Sequence, residues 1–387
     1  MDTETQKILD IKHSKNVGVE LEEEYDTNNY KLFHLQLKSL FILFFLFFLC
    51  LILLYYTIKN NLSDKTESYT YKKIYLNIFE EFQYTLFDEK ILLRYREQQN
   101  EFCDKKGKYL REEFEDQLKI ANVSYLSQSY KMYVYKKNDT VSSQILQMGN
   151  WEEDETSNLL TALTFYSSIK QLKREEIYVL DIGSNIGWYT LFLAKYGYNI
   201  LSFDVSNVNN YILKKNYCLN RELNITIINK GLYSDEKICD LYVNTSNLGD
   251  GLVFCDYQEN LNNLNKTGAA LLTKLSNFES FLLKKNLALI KIDVEGSEGK
   301  AIEGGIKLIT KHHVPFIFLE FCPQNLIKHG TDPRQFLKLF MKNGYKIAWY
   351  NFFSNDYLSI DEIMEKAGNG SMNLYIVHSR TIKKYYN

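Results

Sequence analysis

The sequence predicts an α/β domain built on a doubly wound, mostly parallel seven-stranded sheet, carried behind one N-terminal transmembrane helix. Three observations predict it. Short apolar runs of strand length alternate with helical stretches from about residue 118 onward. Acidic residues sit at the C-terminal ends of several of those runs. Ahead of them lies one uncharged segment long enough to cross a bilayer.

That segment comes first. Residues 39–58 read SLFILFFLFFLCLILLYYTI, bracketed by Lys38 and Lys59. Twenty helical residues rise about 30 Å, the thickness of the hydrocarbon core. Tyr55 and Tyr56 fall where an interfacial aromatic belt belongs. The run is too long and starts too late for a cleaved signal peptide, and no small-residue cleavage site follows it. Residues 1–38 are a short N-terminal tail. Basic residues flank both ends of the span, so charge alone does not orient it. A short tail followed by a long domain is the layout of a single-pass signal anchor. Asn-x-Ser/Thr sequons at Asn61, Asn122, Asn138, Asn224, Asn244, Asn265 and Asn369 agree with a lumenal domain, in the endoplasmic reticulum or Golgi, although an Asn-rich chain yields such triplets by chance.

Residues 59–117 are charged and Tyr-rich, with Ile74, Ile78, Phe79 and Phe82 at helical spacing. They read as a helical stem, a solvated spacer before a domain at 118–387. Charge is nearly balanced, with 46 basic and 48 acidic residues. No long basic run is present, which argues against a nucleic-acid partner. The 30 Tyr and 24 Phe beside only 3 Pro read as coding bias in an AT-rich genome. Of six cysteines, Cys50 lies in the membrane segment. The other five are widely spaced with no zinc pattern, so free buried thiols are expected.

Within the domain, YKMYVY (130–135) predicts a strand and residues 157–172 a helix. IYVLDI (177–182), NILSFDV (199–205), ITIIN (225–229), LALIKIDV (287–294) and FIFLEF (316–321) are the five sheet strands. YKIAWYNF (345–352) and MNLYIVH (372–378), with no strong helix between them, predict an antiparallel pair at the sheet edge.

The most informative stretch is VLDIGSNIGWYT (179–190). A strand ends at Asp181, Gly183 and Gly187 flank Ser184 and Asn185, and a helix begins near Trp188. Glycine permits a sharp turn and close ligand approach. The helix N-terminus offers unpaired N–H groups to an anionic end. Asp204 ends the next strand, where a carboxylate accepts from ribose hydroxyls. A nicotinamide dinucleotide calls for G-x-G-x-x-G, but Asn185 takes the middle glycine position. S-adenosylmethionine, an amino acid joined to a nucleoside without pyrophosphate, fits better. LIKIDVEGSEGKAIEGG (289–305) places Asp293 at another strand end, followed by Glu295 and Glu298.

Paired with IKIDVEGSE, LDIGSNIGWYT resembles the FkbM-type methyltransferase family. GNWEEDET (149–156), NVNNYILKKNYCLN (207–220), NKGLYSD (229–235) and FIFLEF extend the resemblance over roughly residues 130–380. One departure is FDVSN (203–207), where the family more often shows Glu followed by Pro. The resemblance implies the Rossmann-like class I methyltransferase fold and O-methylation, often of a sugar. It implies that Asp181, Gly183, Ser184, Asn185 and Gly187 hold the methionine end, Asp204 the ribose, and Gly231 and Leu232 the adenine.

Methylating an alcohol is helped by a base. Asp293 is the first candidate, then Glu320 and Glu295. These three are also suitable oxygen ligands for a divalent ion, but no dedicated cage is evident, so a metal is possible without being favoured. The expected partners are the bilayer, through one helix, and a hydroxyl-bearing acceptor such as a glycan. A membrane-tethered dehydrogenase using a nicotinamide cofactor, or a non-catalytic binding module, are the alternatives.

Overall fold

The five predicted sheet strands and the two late ones join one sheet, while YKMYVY falls in a separate hairpin, in the computed structural model, which describes residues 88–105, 115–244, 246–255 and 264–381. The predicted tail and the predicted span at 39–58 lie outside those residues. Among the described residues no helix is long and apolar enough to cross a membrane.

The described chain opens with α1 (Asp88–Asp104), then a hairpin of β1 (Leu118–Tyr125) and β2 (Gln128–Tyr135). Helices α2 (Thr140–Met148) and α3 (Glu153–Lys170) lead into β3 (Ile177–Ile182), α4 (Trp188–Lys195), β4 (Asn199–Phe203), α5 (Asn207–Cys218) and β5 (Ile225–Ile228). A second sheet follows, made of β6 (Gly231–Leu232), β7 (Lys237–Asn244), β8 (Asn247–Phe254) and β9 (Leu264–Thr273) in the order β6-β9-β7-β8. The main sheet resumes with α6 (Glu279–Leu282), β10 (Asn286–Ile292), α7 (Glu298–Glu303), α8 (Ile306–His312) and β11 (Phe316–Phe321). It closes with α9 (Pro323–Lys328), α10 (Pro333–Lys342), β12 (Tyr345–Ala348), α11 (Ile360–Ala367) and β13 (Met372–His378).

The main sheet has the order β12-β13-β11-β10-β3-β4-β5, and β13 alone runs against its neighbours. This is the mostly parallel, doubly wound sheet predicted. Alternate residues of each strand serve opposite faces. Ile177 and Val179 join the core on one side, Leu180 and Ile182 the core on the other. Both faces are buried, which is why the strands read as unbroken apolar runs. Strand order reverses between β3 and β10, opening a crevice at their carboxyl ends.

Three expectations need correction. The solvated spacer expected over 59–117 does not describe α1, which lies against the sheet edge. Gln99, 1% exposed, donates to the Ile225 carbonyl and accepts from the Ile227 N–H, so its amide completes the free edge of β5. Free thiols were expected, but Cys103 bonds Cys218 and Cys239 bonds Cys255; among the described residues only Cys322 is free. The first bridge joins residues 115 apart, and the second follows from β7–β8 register, which pairs Asp240 with Phe254. Neither relation shows in linear spacing. Finally, β12 and β13 do pair antiparallel, but the capped helix α11 lies between them, and β13 inserts between β12 and β11.

Candidate active site

The crevice at the switch point is a cavity of about 250 Å³. Its floor is the β3–α4 loop. Gly183 takes φ 76°, and a Cβ there would fall 1.7 Å from the Asp293 carbonyl oxygen. The glycine therefore brings the loop against the acidic turn after β10. Gly183 and Ser184 N–H groups both donate to the Phe203 carbonyl, at 2.9 and 3.0 Å. Asn185 adopts φ 51°, and its N–H donates to Asp204 Oδ2 at 2.8 Å. Buried Lys291 donates from Nζ to the Gly183 carbonyl at 2.8 Å.

Asp204 sits at the loop's far side. Its Oδ1 accepts from the Ser206 N–H at 2.8 Å. Burial pushes its carboxyl up to about 7, against the pull of those two N–H bonds. Each oxygen keeps a further lone pair for a ribose hydroxyl. Gly231 and Leu232 line the same cleft, and a Cβ on Gly231 would meet Val205 Cγ1 at 2.4 Å. The Ser184 Oγ is buried with no hydrogen-bond partner among the described residues, leaving a donor for a ligand.

Of the predicted cofactor residues, Gly183, Ser184, Asn185, Asp204, Gly231 and Leu232 line the cleft. Asp181 and Gly187 do not. Asp181 lies beneath the loop, accepting from Thr190 Oγ1 at 2.5 Å, with Lys291 Nζ 3.8 Å away. Burial raises its carboxyl above the usual range. Gly187 begins α4 at φ 96°, where a Cβ would meet Leu213. Both shape the loop from below.

The other wall is acidic. Asp293, Glu295 and Glu320 all line the cleft, and one oxygen of each lies within 4.8 Å of the others. Burial, then Asp293, pushes Glu295 up to about 9 and Glu320 up to about 8. Asp250 on β8 is held at about 6 for the same reasons. Glu298 is turned away from this role: its Oε1 accepts the Val294 and Gly296 N–H groups at 3.0 and 3.1 Å and braces the turn.

Sequence reasoning missed Glu152, Tyr189, Asp250 and Lys291. Glu152 opens α3 at φ 44° and accepts from the Tyr189 hydroxyl. Burial raises its carboxyl. Lys291 also approaches Asp293 Oδ2 at 3.3 Å. Burial pulls the Lys291 ammonium down, but Asp293, Asp181 and Glu152 outweigh it and raise it. A lysine inside the buried run LALIKIDV was the available signal.

Residues 181–347 match the model of the methyltransferase FkbM domain. No curated protein matches the chain in sequence. Among solved structures, WbdD, a bifunctional kinase-methyltransferase, is similar at 12% identity and a TM-score of 0.37, over 62% of this chain and 44% of that one. This chain thus spans less than half the length of WbdD. A TehB-like SAM-dependent methyltransferase from Corynebacterium glutamicum is 12% identical, with a TM-score of 0.30 over 61% of this chain and 93% of that one. Magnesium protoporphyrin IX methyltransferase from Synechocystis is 13% identical, with a TM-score of 0.31 over 62% and 84%.

Proposed function

We propose, from the match of residues 181–347 to the methyltransferase FkbM domain and from the cleft those residues help to build, a membrane-anchored O-methyltransferase acting on a glycan or similar hydroxyl-bearing acceptor. S-adenosylmethionine is the cofactor. The observation that carries the reading is one cleft in which the Gly183–Asn185 loop and Asp204 face a wall of carboxylates. Glycine backbone, the orphan Ser184 hydroxyl and the spare Asp204 lone pairs suit the amino acid end and ribose of that cofactor.

When bound, its sulfonium supplies an activated methyl carbon and leaves as a neutral thioether, S-adenosylhomocysteine. The chain's part is to align the acceptor oxygen behind that carbon and to accept the hydroxyl proton. Asp293 is the base. Its side chain is 39% exposed, and Lys291 holds its Oδ2. Glu295 and Glu320, whose carboxyls burial and the Asp293 charge hold above the usual range, line the wall beside it and face the acceptor. Trp151 adds an apolar surface on which a sugar ring packs.

The anchor rests on the sequence of residues 39–58. Two disulfides support a lumenal domain, since such bonds persist in oxidising compartments. Sequon residues Asn122, Asn138, Asn224, Asn265 and Asn369 are exposed, as glycan addition requires. Incubation with labelled S-adenosylmethionine and fractionated cell glycans and lipids tests the activity. Label should enter a glycan fraction as an alkali-stable ether. Binding of a nicotinamide dinucleotide in preference would support the dehydrogenase instead. Protease treatment of sealed microsomes should spare the domain, and glycosidase should lower its mass. Digestion without detergent would put the domain in the cytosol.

A further inference from the structure

We propose that Asp293, Glu295 and Glu320 form a binding site for a hard divalent cation such as magnesium or manganese, at the acceptor side of the cleft. The proposal rests on the methyl-transfer reading for its purpose, not for its geometry.

Two strand ends build it. Asp293 and Glu295 lie on the turn after β10, and Glu320 lies on β11, its immediate neighbour in the sheet. The left-handed backbone at Glu295, φ 55°, sets its carboxyl on the same side as Asp293. One oxygen from each of the three converges within 4.8 Å. That is the donor set that hard divalent ions prefer, all oxygen and mostly anionic. A second observation comes from Ser297. It lines the same cleft two residues beyond Glu295 and is only 5% exposed, and its Oγ has no hydrogen-bond partner among the described residues. A buried hydroxyl without a partner is costly unless a ligand or a ligand's water meets it.

Charge points the same way. Lys291 is the cation paired in this wall, and its contacts are the Gly183 carbonyl, Asp293 and, more distantly, Asp181. Among the described residues Glu295 and Glu320 form no ion pair. A divalent ion offsets their repulsion and leaves the second oxygen of each carboxylate available. Bound to an acceptor hydroxyl, it lowers that hydroxyl's pKa, and the unligated oxygen of Asp293 takes the proton.

The test is manganese binding to the full chain, followed by electron paramagnetic resonance of the free ion, with neither methyl donor nor acceptor present. The wild type should bind one ion. Glu295→Gln and Glu320→Gln should each weaken binding at least about tenfold, while Glu303→Gln, on the exposed side of α7, should not. Circular dichroism confirms that each variant is folded. Folded wild type that binds no manganese or calcium at millimolar concentration overturns the proposal. So does equal affinity in all variants. Because binding is read without turnover, its failure leaves the methyltransferase reading standing, and the absence of turnover leaves a measured ion site standing.

Discussion

Asp204 does two jobs with one carboxylate. It holds the loop through the Asn185 and Ser206 N–H groups and presents its remaining lone pairs to the cleft. Asp204→Ala should therefore weaken S-adenosylmethionine by about 10- to 100-fold, the loss of charge-assisted hydrogen bonds. It should also lower stability by about 1–3 kcal/mol, because two N–H groups lose their acceptor. Titration calorimetry and denaturant unfolding read the two effects separately; unchanged affinity in a folded variant would remove Asp204 from the cofactor site. Asp293 differs, since its side chain is half-open and its neighbours are acids and Lys291. Asp293→Asn should lower turnover by about 10²–10⁴ and leave cofactor affinity nearly unchanged. Full activity would exclude it as base, and a collapse of both binding and folding would make it a loop brace like Glu298.

At the scale of elements, the decisive piece is α1. It covers the open edge of β5 through Gln99, adds Arg96 Nε to Thr226 Oγ1 at 2.7 Å, and is tied to α5 by Cys103–Cys218. Gln99→Ala leaves a buried carbonyl and a buried N–H unpaired and should cost about 1–3 kcal/mol. Urea unfolding measures it, and a change within error would mean that the edge is satisfied some other way. Cys103→Ser should cost about 2–4 kcal/mol by releasing a long unfolded loop, and the loss should vanish when the wild type is measured in reductant. The β7–β8 hairpin is the other element of consequence. Its strand β8 supplies Asp250 and Val253 to the cleft, while His329 reaches the Val253 carbonyl from the end of α9. This small sheet was not anticipated, because residues 231–273 lack the unbroken apolar runs of a strand buried on both faces.

For the molecule as a whole, the buried acids set the pH dependence. In the folded chain Glu295, Glu320, Glu298 and Asp204 are raised to about 9, 8, 7 and 7. Unfolded, they return to about 4. The folded state then holds more protons than the unfolded state between about pH 4 and 9, so stability falls as pH rises through that window. Melting temperature in metal-free buffer should drop on going from about pH 6 to about pH 8.5. Glu295→Gln, which removes the largest of these shifts, should flatten the slope. A melting temperature that rises with pH over that range would show these carboxylates to be ionised already.

Residue order along the chain determined the five parallel strands, the glycine loop and the acids that end β4, β10 and β11. Each is a local property: continuous apolarity for a strand buried on both faces, glycine where φ is positive or another backbone comes close, a carboxylate where a strand stops. The late pair of strands was legible for the same reason. Tertiary structure decided what depends on distant partners. Asp181 came to lie beneath the loop and off the cleft wall, with Thr190 and Lys291 around it. Glu152, far from β10 in sequence, joined the acid wall through Tyr189. Two disulfides formed where spacing showed nothing, and Gln99 found the edge of β5 from more than a hundred residues away. Apolar periodicity tells a residue which face to bury, but only the assembled sheet tells it what it will touch there.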